Sequence, residues 1–212
     1  IGLSILTKGP VGLLIVGLAA LIYLIVVRFK IALRWTHFVA FTLWLTFVGG
    51  FWFILQILNG NFDILVDFIE YQIYLFSKEG AGHGGFLLYH FVVLFAGVFP
   101  ASVFALKSFK RNYNKSFSEQ MRLMMVILFW SVLILFTIVS TKIIHYSSMC
   151  YFPLTYLGAY VMYHIAEQKE RAQKWMGILV AALSSVYVIV IVALPWVGKH
   201  AAELANSGRI KD

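Results

Sequence analysis

The stretch LTKGPVG, residues 6–12, puts a charged side chain directly before a long apolar run, residues 11–27. Gly9-Pro10 breaks any helix that precedes it, and Pro10 suits the first turn of the next helix. The junction therefore predicts the Lys8 ammonium group beside free backbone N–H groups and the positive end of a helix dipole. That combination favours an anion such as phosphate. The alternative is a lysine that only anchors the helix at the membrane interface.

The composition extends this interpretation to the whole chain. It is 61% hydrophobic and 12% charged, with a mean hydropathy of +0.87. A soluble domain is nearer half apolar and a quarter charged, so these values predict an integral membrane protein. The net charge of +8 does not indicate nucleic-acid binding, because the basic residues lie mostly in short connections between apolar runs. Cys150 is the only cysteine, which excludes an internal disulfide.

Six apolar runs approach the roughly 20 residues that a transmembrane helix needs. They are residues 11–27, 38–58, 86–106, 123–139, 146–165 and 175–197. We therefore expect an all-α membrane protein with about six spans in one domain, residues 1–198, followed by the start of an outer segment, residues 199–212. The chain begins at Ile1 without an initiator methionine, and we expect it to be a piece of a longer protein.

The charges in the connections predict an orientation. The first, third and fifth connections are rich in Lys and Arg, which marks them as cytoplasmic under the positive-inside rule. The second connection is acidic, and the fourth is short with Lys142 as its only charge. Both termini and the second and fourth connections are then expected on the outer side.

The second connection, residues 59–85, is long and predicts an additional element. Residues 62–76 read as a helix too polar to span but rich in large apolar side chains, typical of a helix lying on the outer leaflet. Asp63, Asp67 and Glu70 share one face of it. They are candidates for an acidic catalytic or metal-binding cluster, although the solvated face of such a helix is the more common arrangement.

The predicted topology gathers scattered polar residues on the outer side. They are Lys8, His83, Lys142, His145 and Tyr146. Together they predict an anion site at the outer interface. None of the nine Asp and Glu residues lies within an apolar run, which disfavours a cation- or proton-coupled transporter. No span carries a polar stripe for a channel, and no metal-ligand spacing is evident.

The sequence resembles the polyprenyl-phosphate-dependent glycosyltransferases of the GT-C fold, and within them the aminoarabinose transferase and protein O-mannosyltransferase group. Three stretches carry the resemblance in order: LTKGPVG (6–12); HGGF (83–86) with Tyr89 and GVFPAS (97–102); and STK (140–142) with His145, Tyr146 and Pro153. The sequence departs from the family pattern at Ala101, where tryptophan is usual. An arginine usual upstream of His83 is also missing, and Lys78 is the nearest base.

The resemblance implies transfer of a sugar from an undecaprenyl- or dolichyl-phosphate carrier to lipid A, protein or glycan on the non-cytoplasmic face. A bacterial inner-membrane enzyme of several spans is then expected, with the bilayer, the lipid-linked donor and the acceptor as its partners. Lys8 and Lys142 would contact the carrier phosphate, with His83, His145 and Tyr146 as weaker candidates. The family's catalytic carboxylate belongs to a first outer loop that this chain does not contain, so we expect no catalytic residue here. No cofactor or metal is evident.

A non-catalytic membrane module is the alternative function, such as a protein that binds or translocates a lipid carrier. An upstream acidic outer loop would favour the transferase. Additional spans that contain carboxylates at membrane depth would favour a transporter.

Overall fold

A computed structural model describes residues 1–30, 34–77, 86, 88–109, 116–138 and 144–201. Within these residues the chain is helical and contains no strand, which confirms the all-α class. The α-helices are α1 (Gly2–Lys8), α2 (Val11–Val26), α3 (Trp35–Trp44), α4 (Phe51–Leu58), α5 (Phe62–Ser77), α6 (Tyr89–Gly97), α7 (Ala101–Ser108), α8 (Phe117–Ile138), α9 (Tyr151–Ala166) and α10 (Lys174–Lys199). A π-helical segment, Leu45–Gly49, joins α3 to α4, and a 3-10 helix, Ile144–Cys150, precedes α9.

Two of these helices, α8 and α10, are long and apolar enough to cross a membrane. Two bent pairs also qualify if each counts as one span: α3 with its π-helical segment and α4, bent by 58°, and α6 with α7, bent by 114°. The described residues therefore hold two candidate spans, or up to four. This is a membrane-helical architecture by length and composition.

The prediction of six single spans is therefore wrong. The run 11–27 forms α2, whose 16 residues extend roughly 24 Å at 1.5 Å per residue, short of a hydrocarbon core of about 30 Å. The run 146–165 begins as the 3-10 helix and continues as α9, again of 16 residues. The runs 38–58 and 86–106 are the two bent pairs. Hydropathy averages over a window and does not detect breaks made by a few glycines and a proline.

Glycines set the first break. A Cβ added at Gly49 would lie 3.2 Å from the Cα of Gly2, so α1 packs closely on the π-helical segment. A Cβ at Gly50 would lie 2.5 Å from the carbonyl oxygen of Thr46. Small residues that let helix backbones approach are typical of membrane helix contacts. The local change in helical winding therefore coincides with the place where α1 docks.

The second break lies at residues 98–100, between α6 and α7. Pro100 has no N–H to donate and precedes the first residue of α7, a position that suits proline. Beyond the break, α7 passes close to α9: a Cβ at Gly158 would lie 2.5 Å from the carbonyl oxygen of Ala101. The hydroxyl of Ser108, the last residue of α7, donates to the carbonyl of Leu157 at 2.9 Å. Both ends of α7 are thus held against the same part of α9.

Helix α8 lies at the centre of the first of two compact units, residues 1–162. It packs against α2, α6 and the 3-10 helix. The buried core is built around Val132 and Leu133 of α8, with Leu94 from α6, Cys150 from the 3-10 helix and Leu157 from α9. Helix α8 therefore contributes to one core together with α6, the 3-10 helix and α9.

The second unit, residues 163–212, is dominated by α10. Its aliphatic side chains from Val188 to Leu194 are exposed around the helix rather than along one stripe. A helix that is apolar all round is suited to a hydrocarbon environment. Lys174 begins this helix and Lys199 ends it, as expected for long basic side chains at the edges of a span. Of the predicted outer segment 199–212, residues 202–212 lie outside the described part of the chain.

Candidate anion site at the first helix junction

The predicted helix break at Gly9-Pro10 is present. Lys8 is the last residue of α1, and the N–H of Gly9 donates to the carbonyl of Ile5 at 2.9 Å. Gly9 has a φ of 70°, in the left-handed region that favours glycine. Pro10 then opens α2, and its carbonyl accepts the N–H of Leu14 at 3.0 Å. Lys8 therefore ends α1, and only Gly9 and Pro10 separate it from the first residue of α2.

Helix α1 packs back on α2 at this junction. A Cβ added at Gly12 would lie 1.7 Å from the Ser4 hydroxyl oxygen and 2.9 Å from the Ser4 Cβ, so a side chain at this position would force Ser4 to move. Gly12 itself is buried. The last glycine of the LTKGPVG stretch thus lies where α1 and α2 approach closely, on either side of the Lys8 turn.

Helix α5 reaches the same turn. A Cβ on Gly9 would lie 3.1 Å from the side-chain amide oxygen of Gln72. Leu65, Phe68 and Gln72 recur at i, i+3 and i+7 and are the less exposed positions of α5. Phe68 packs edge-on against Phe53 of α4, with ring centroids 5.4 Å apart. The predicted helix at residues 62–76 is confirmed as α5, and its inward stripe brings an amide to the Lys8 turn.

Sequence reasoning missed Gln72. The signal was available in part, because it continues the inward stripe of an amphipathic helix. The identity of the element opposite that stripe depends on how the chain folds and could not be read from spacing alone.

The other predicted site residues are only partly covered by the structure. His83 and Lys142 lie outside the described residues. The backbones of His145 and Tyr146 lie in the 3-10 helix, and that of Lys8 in α1; their side chains are outside the described part.

The elements that follow the three motif stretches do converge. Helix α6 begins six residues after His83, the 3-10 helix begins two residues after Lys142, and these two elements pack against each other. Ile15 near the start of α2, Leu94 of α6 and Cys150 of the 3-10 helix belong to one buried core. Stretches far apart in sequence thus lead into neighbouring elements.

Two buried polar residues lie in these elements. His90 of α6 and Ser147 of the 3-10 helix are both fully buried. The ring of His90 stands edge-on to that of Tyr89, with centroids 5.2 Å apart. The burial of His90 is that of a core residue. No sequence pattern distinguishes a buried histidine here, since its neighbours are apolar on both sides.

The carboxylates of α5 remain at the surface. Asp63, Asp67 and Glu70 are all exposed, which is the arrangement expected of a solvated face. Within the described residues, no group of three or more His, Cys, Asp or Glu side chains could hold a metal ion. The described part of the chain thus offers the Gln72 amide near the Lys8 turn, and carboxylates on a separate, exposed face.

A polar network lies at the start of α8. Arg122 and Glu119 form a largely buried ion pair, with Nη2 2.8 Å from Oε2. Arg122 also donates to the carbonyl of Ser108 at 2.6 Å, and the Tyr160 hydroxyl donates to the second Glu119 oxygen. The network joins α7, α8 and α9. Its charged groups are paired with other protein groups, as expected of a contact that stabilises the fold.

No protein-family model, curated protein or solved structure matches the chain. The resemblance to lipid-linked glycosyltransferases therefore depends on the three motif stretches alone.

Proposed function

We propose that the chain is the membrane part of a glycosyltransferase that uses a polyprenyl-phosphate sugar donor, with the carrier phosphate contacted by Lys8. The observation that carries the proposal is the convergence described above. The elements that follow the Lys8, His83 and Lys142 stretches share one core through Ile15, Leu94 and Cys150. Residues that bind one ligand must lie on neighbouring elements of the fold. Lysines that only anchor separate helices have no such requirement.

The chemistry assigned to these residues is charge stabilisation. The acceptor oxygen would attack the anomeric carbon as its bond to the phosphate oxygen breaks, which inverts that carbon and leaves negative charge on the lipid phosphate. Cations positioned at the phosphate stabilise the charge that develops there. Lys8 and Lys142 would supply them, with hydrogen bonds from His83, His145 and Tyr146. A carboxylate outside this chain would remove the acceptor proton.

This role implies the outer face of five polar residues predicted from the charges of the connections, and an inner-membrane location in a bacterium. The donor would be a polyprenyl-phosphate-linked sugar, and lipid A, protein or glycan would be the acceptor. The long apolar helices α8 and α10 support residence in a bilayer, and the acidic, exposed face of α5 supports an interfacial position for that helix.

Binding of undecaprenyl phosphate to the chain in vesicles tests the proposal. We expect Lys8→Ala to weaken binding roughly ten- to hundred-fold, since losing a charge-assisted contact costs about 1.5 to 3 kcal/mol. Lys199→Ala is the matched control, because Lys199 also ends a helix and is exposed. Equal weakening by both changes, or no binding by the unaltered chain, would reject the assignment of Lys8 to the phosphate.

A further inference from the structure

An apolar cavity of about 270 Å³ lies between the bent pair α6–α7 and helix α8. It is lined mainly by aromatic and leucine side chains, among them Phe95, Leu106, Trp130, Leu133 and Leu154, together with Ser102. Phe91 near the start of α6 and Phe109 just beyond α7 both pack against Trp130, with ring centroids 6.3 and 5.7 Å away. The 114° bend therefore closes against one face of α8, and the cavity is the space left inside it.

The lining offers nothing to hold water. The only side-chain heteroatom group besides the Trp130 indole is the Ser102 hydroxyl, and it donates to the carbonyl of Phe95 at 2.6 Å. A buried water needs two to four polar partners, and apolar cavities stay dry without them. An empty cavity of this size would also forfeit the dispersion contacts of every side chain around it. An apolar ligand is the occupant that fits this chemistry.

The mouth of the cavity is continuous with the apolar outer surface. Trp130 and Leu106 line the cavity and are also 38% and 41% exposed, so they form its rim. Next to the lining residue Leu133, which is buried, Ile134 of α8 is exposed on the outer side. In a protein whose helices reside in a bilayer, a dry cavity that opens through such a rim faces hydrocarbon.

We propose that this cavity binds the hydrocarbon chain of a membrane lipid. Its volume is near the lower end of the roughly 300 to 1,000 Å³ usual for small-molecule pockets, so it takes a segment of one chain and not a whole lipid. The chain replaces the missing contacts inside the bend and supports the α6–α7 pair against α8. The inference is separate from the proposed function, since it needs neither a phosphate contact nor sugar transfer.

Photolabelling of the reconstituted chain tests this site. The probe is a phosphatidylcholine that carries a diazirine at the end of one acyl chain, in phosphatidylcholine vesicles, with labelled residues mapped by mass spectrometry. We expect label on Phe95, Leu106 and Leu154 in the cavity as well as on the exposed side chains of α10. The α10 label serves as the internal reference for lipid contact in each sample.

Two matched variants separate the cavity from the surface. Leu133→Trp fills the cavity, and should lower cavity labelling at least about five-fold because interiors have no spare volume beyond such voids. Ile134→Trp introduces the same side chain one residue away on the outer surface and should leave cavity labelling unchanged. Equal cavity labelling in the two variants would overturn the proposal.

A third variant tests the site in case circular dichroism shows that Leu133→Trp does not fold. Phe95→Ala enlarges the cavity, and should raise labelling of Leu106 and Leu154; no rise would count against the site. Unlabelled polyprenyl phosphate added in excess distinguishes the source of the chain. Loss of cavity label would assign it to an isoprenoid, and persistence would assign it to a glycerophospholipid. A labelled cavity without Lys8-dependent phosphate binding would reject the proposed function and keep this site.

Discussion

The guanidinium of Arg122 donates to the carbonyl oxygen of Ser108 at 2.6 Å, and so ties the end of α7 to the first turns of α8. The last carbonyls of a helix have no partner within it, and a basic side chain often satisfies them. The same guanidinium is paired with Glu119, whose other oxygen accepts the Tyr160 hydroxyl. One buried cation thus determines the relative position of three helices at this end of the first unit.

Removing that cation should destabilise the fold. Arg122→Met leaves the Glu119 carboxylate, only 17% exposed, without its ion-pair partner. We expect the free energy of unfolding to fall by about 3 kcal/mol, the lower end of the range for breaking a buried pair. Denaturant titration in detergent micelles, followed by circular dichroism, measures the change.

Two controls accompany this variant. Adding Glu119→Leu to Arg122→Met removes the uncompensated charge and should restore part of the lost stability. Lys169→Met disrupts a second ion pair, with Glu167, in which the two side chains are 55% and 50% exposed. It should cost less than about 1 kcal/mol. Similar losses for Arg122→Met and Lys169→Met would show that the Arg122 network does not hold the helices together.

The bent pair α6–α7 is either one broken span or a re-entrant hairpin, and the orientation of the following helices depends on which it is. Helix α6 packs against the 3-10 helix that follows the fourth connection. At the other end of the pair, Ser108 of α7 accepts a hydrogen bond from Arg122, near the start of α8. If the pair crosses the bilayer, a cysteine at Gly82 should react with an impermeant thiol reagent in intact cells and one at Asn112 should not. A cysteine at Asn206 should also react. The background is Cys150→Ser, which removes the natural thiol.

Reaction of both the Gly82 and the Asn112 cysteines would instead identify α6–α7 as a re-entrant hairpin. The second and third connections would then share a side, and the common outer face of His83 and Lys142 would be lost. The 114° bend is compatible with either geometry, so the labelling pattern decides between them.

The sequence predicted the helical class, the two long candidate spans and the helix at residues 62–76, because each depends on local composition and periodicity. It overcounted the spans because the runs 11–27 and 146–165 form helices of only 16 residues, and because Gly49-Gly50 and the segment ending at Pro100 bend two other runs without changing their hydropathy. The junction at Gly9-Pro10 was readable, since proline and glycine act on their own backbone. The contact of Gln72 with Gly9 and the burial of His90 were not, because both depend on which distant element packs opposite.

The final prediction concerns Gly12, where α2 meets Ser4 of α1. Gly12→Ala puts a methyl group into the space of the Ser4 hydroxyl, and should destabilise the chain by about 1 to 3 kcal/mol through overpacking. Gly17→Ala is the matched control on the same helix, because nothing lies within 4 Å of a Cβ there. It should be neutral or stabilising, since alanine favours helix more than glycine does.

The same pair of variants connects the fold to the anion site. Because α1 and α2 pack against each other on either side of the Lys8 turn, a change in this packing should move Lys8. Gly12→Ala should therefore also weaken undecaprenyl phosphate binding, measured in vesicles below the temperature at which the variant unfolds. Ser4→Gly removes the opposing side chain, and should restore both stability and binding in the Gly12→Ala background. Binding that is unaffected by Gly12→Ala while stability falls would show that the phosphate contact does not depend on how α1 packs against α2.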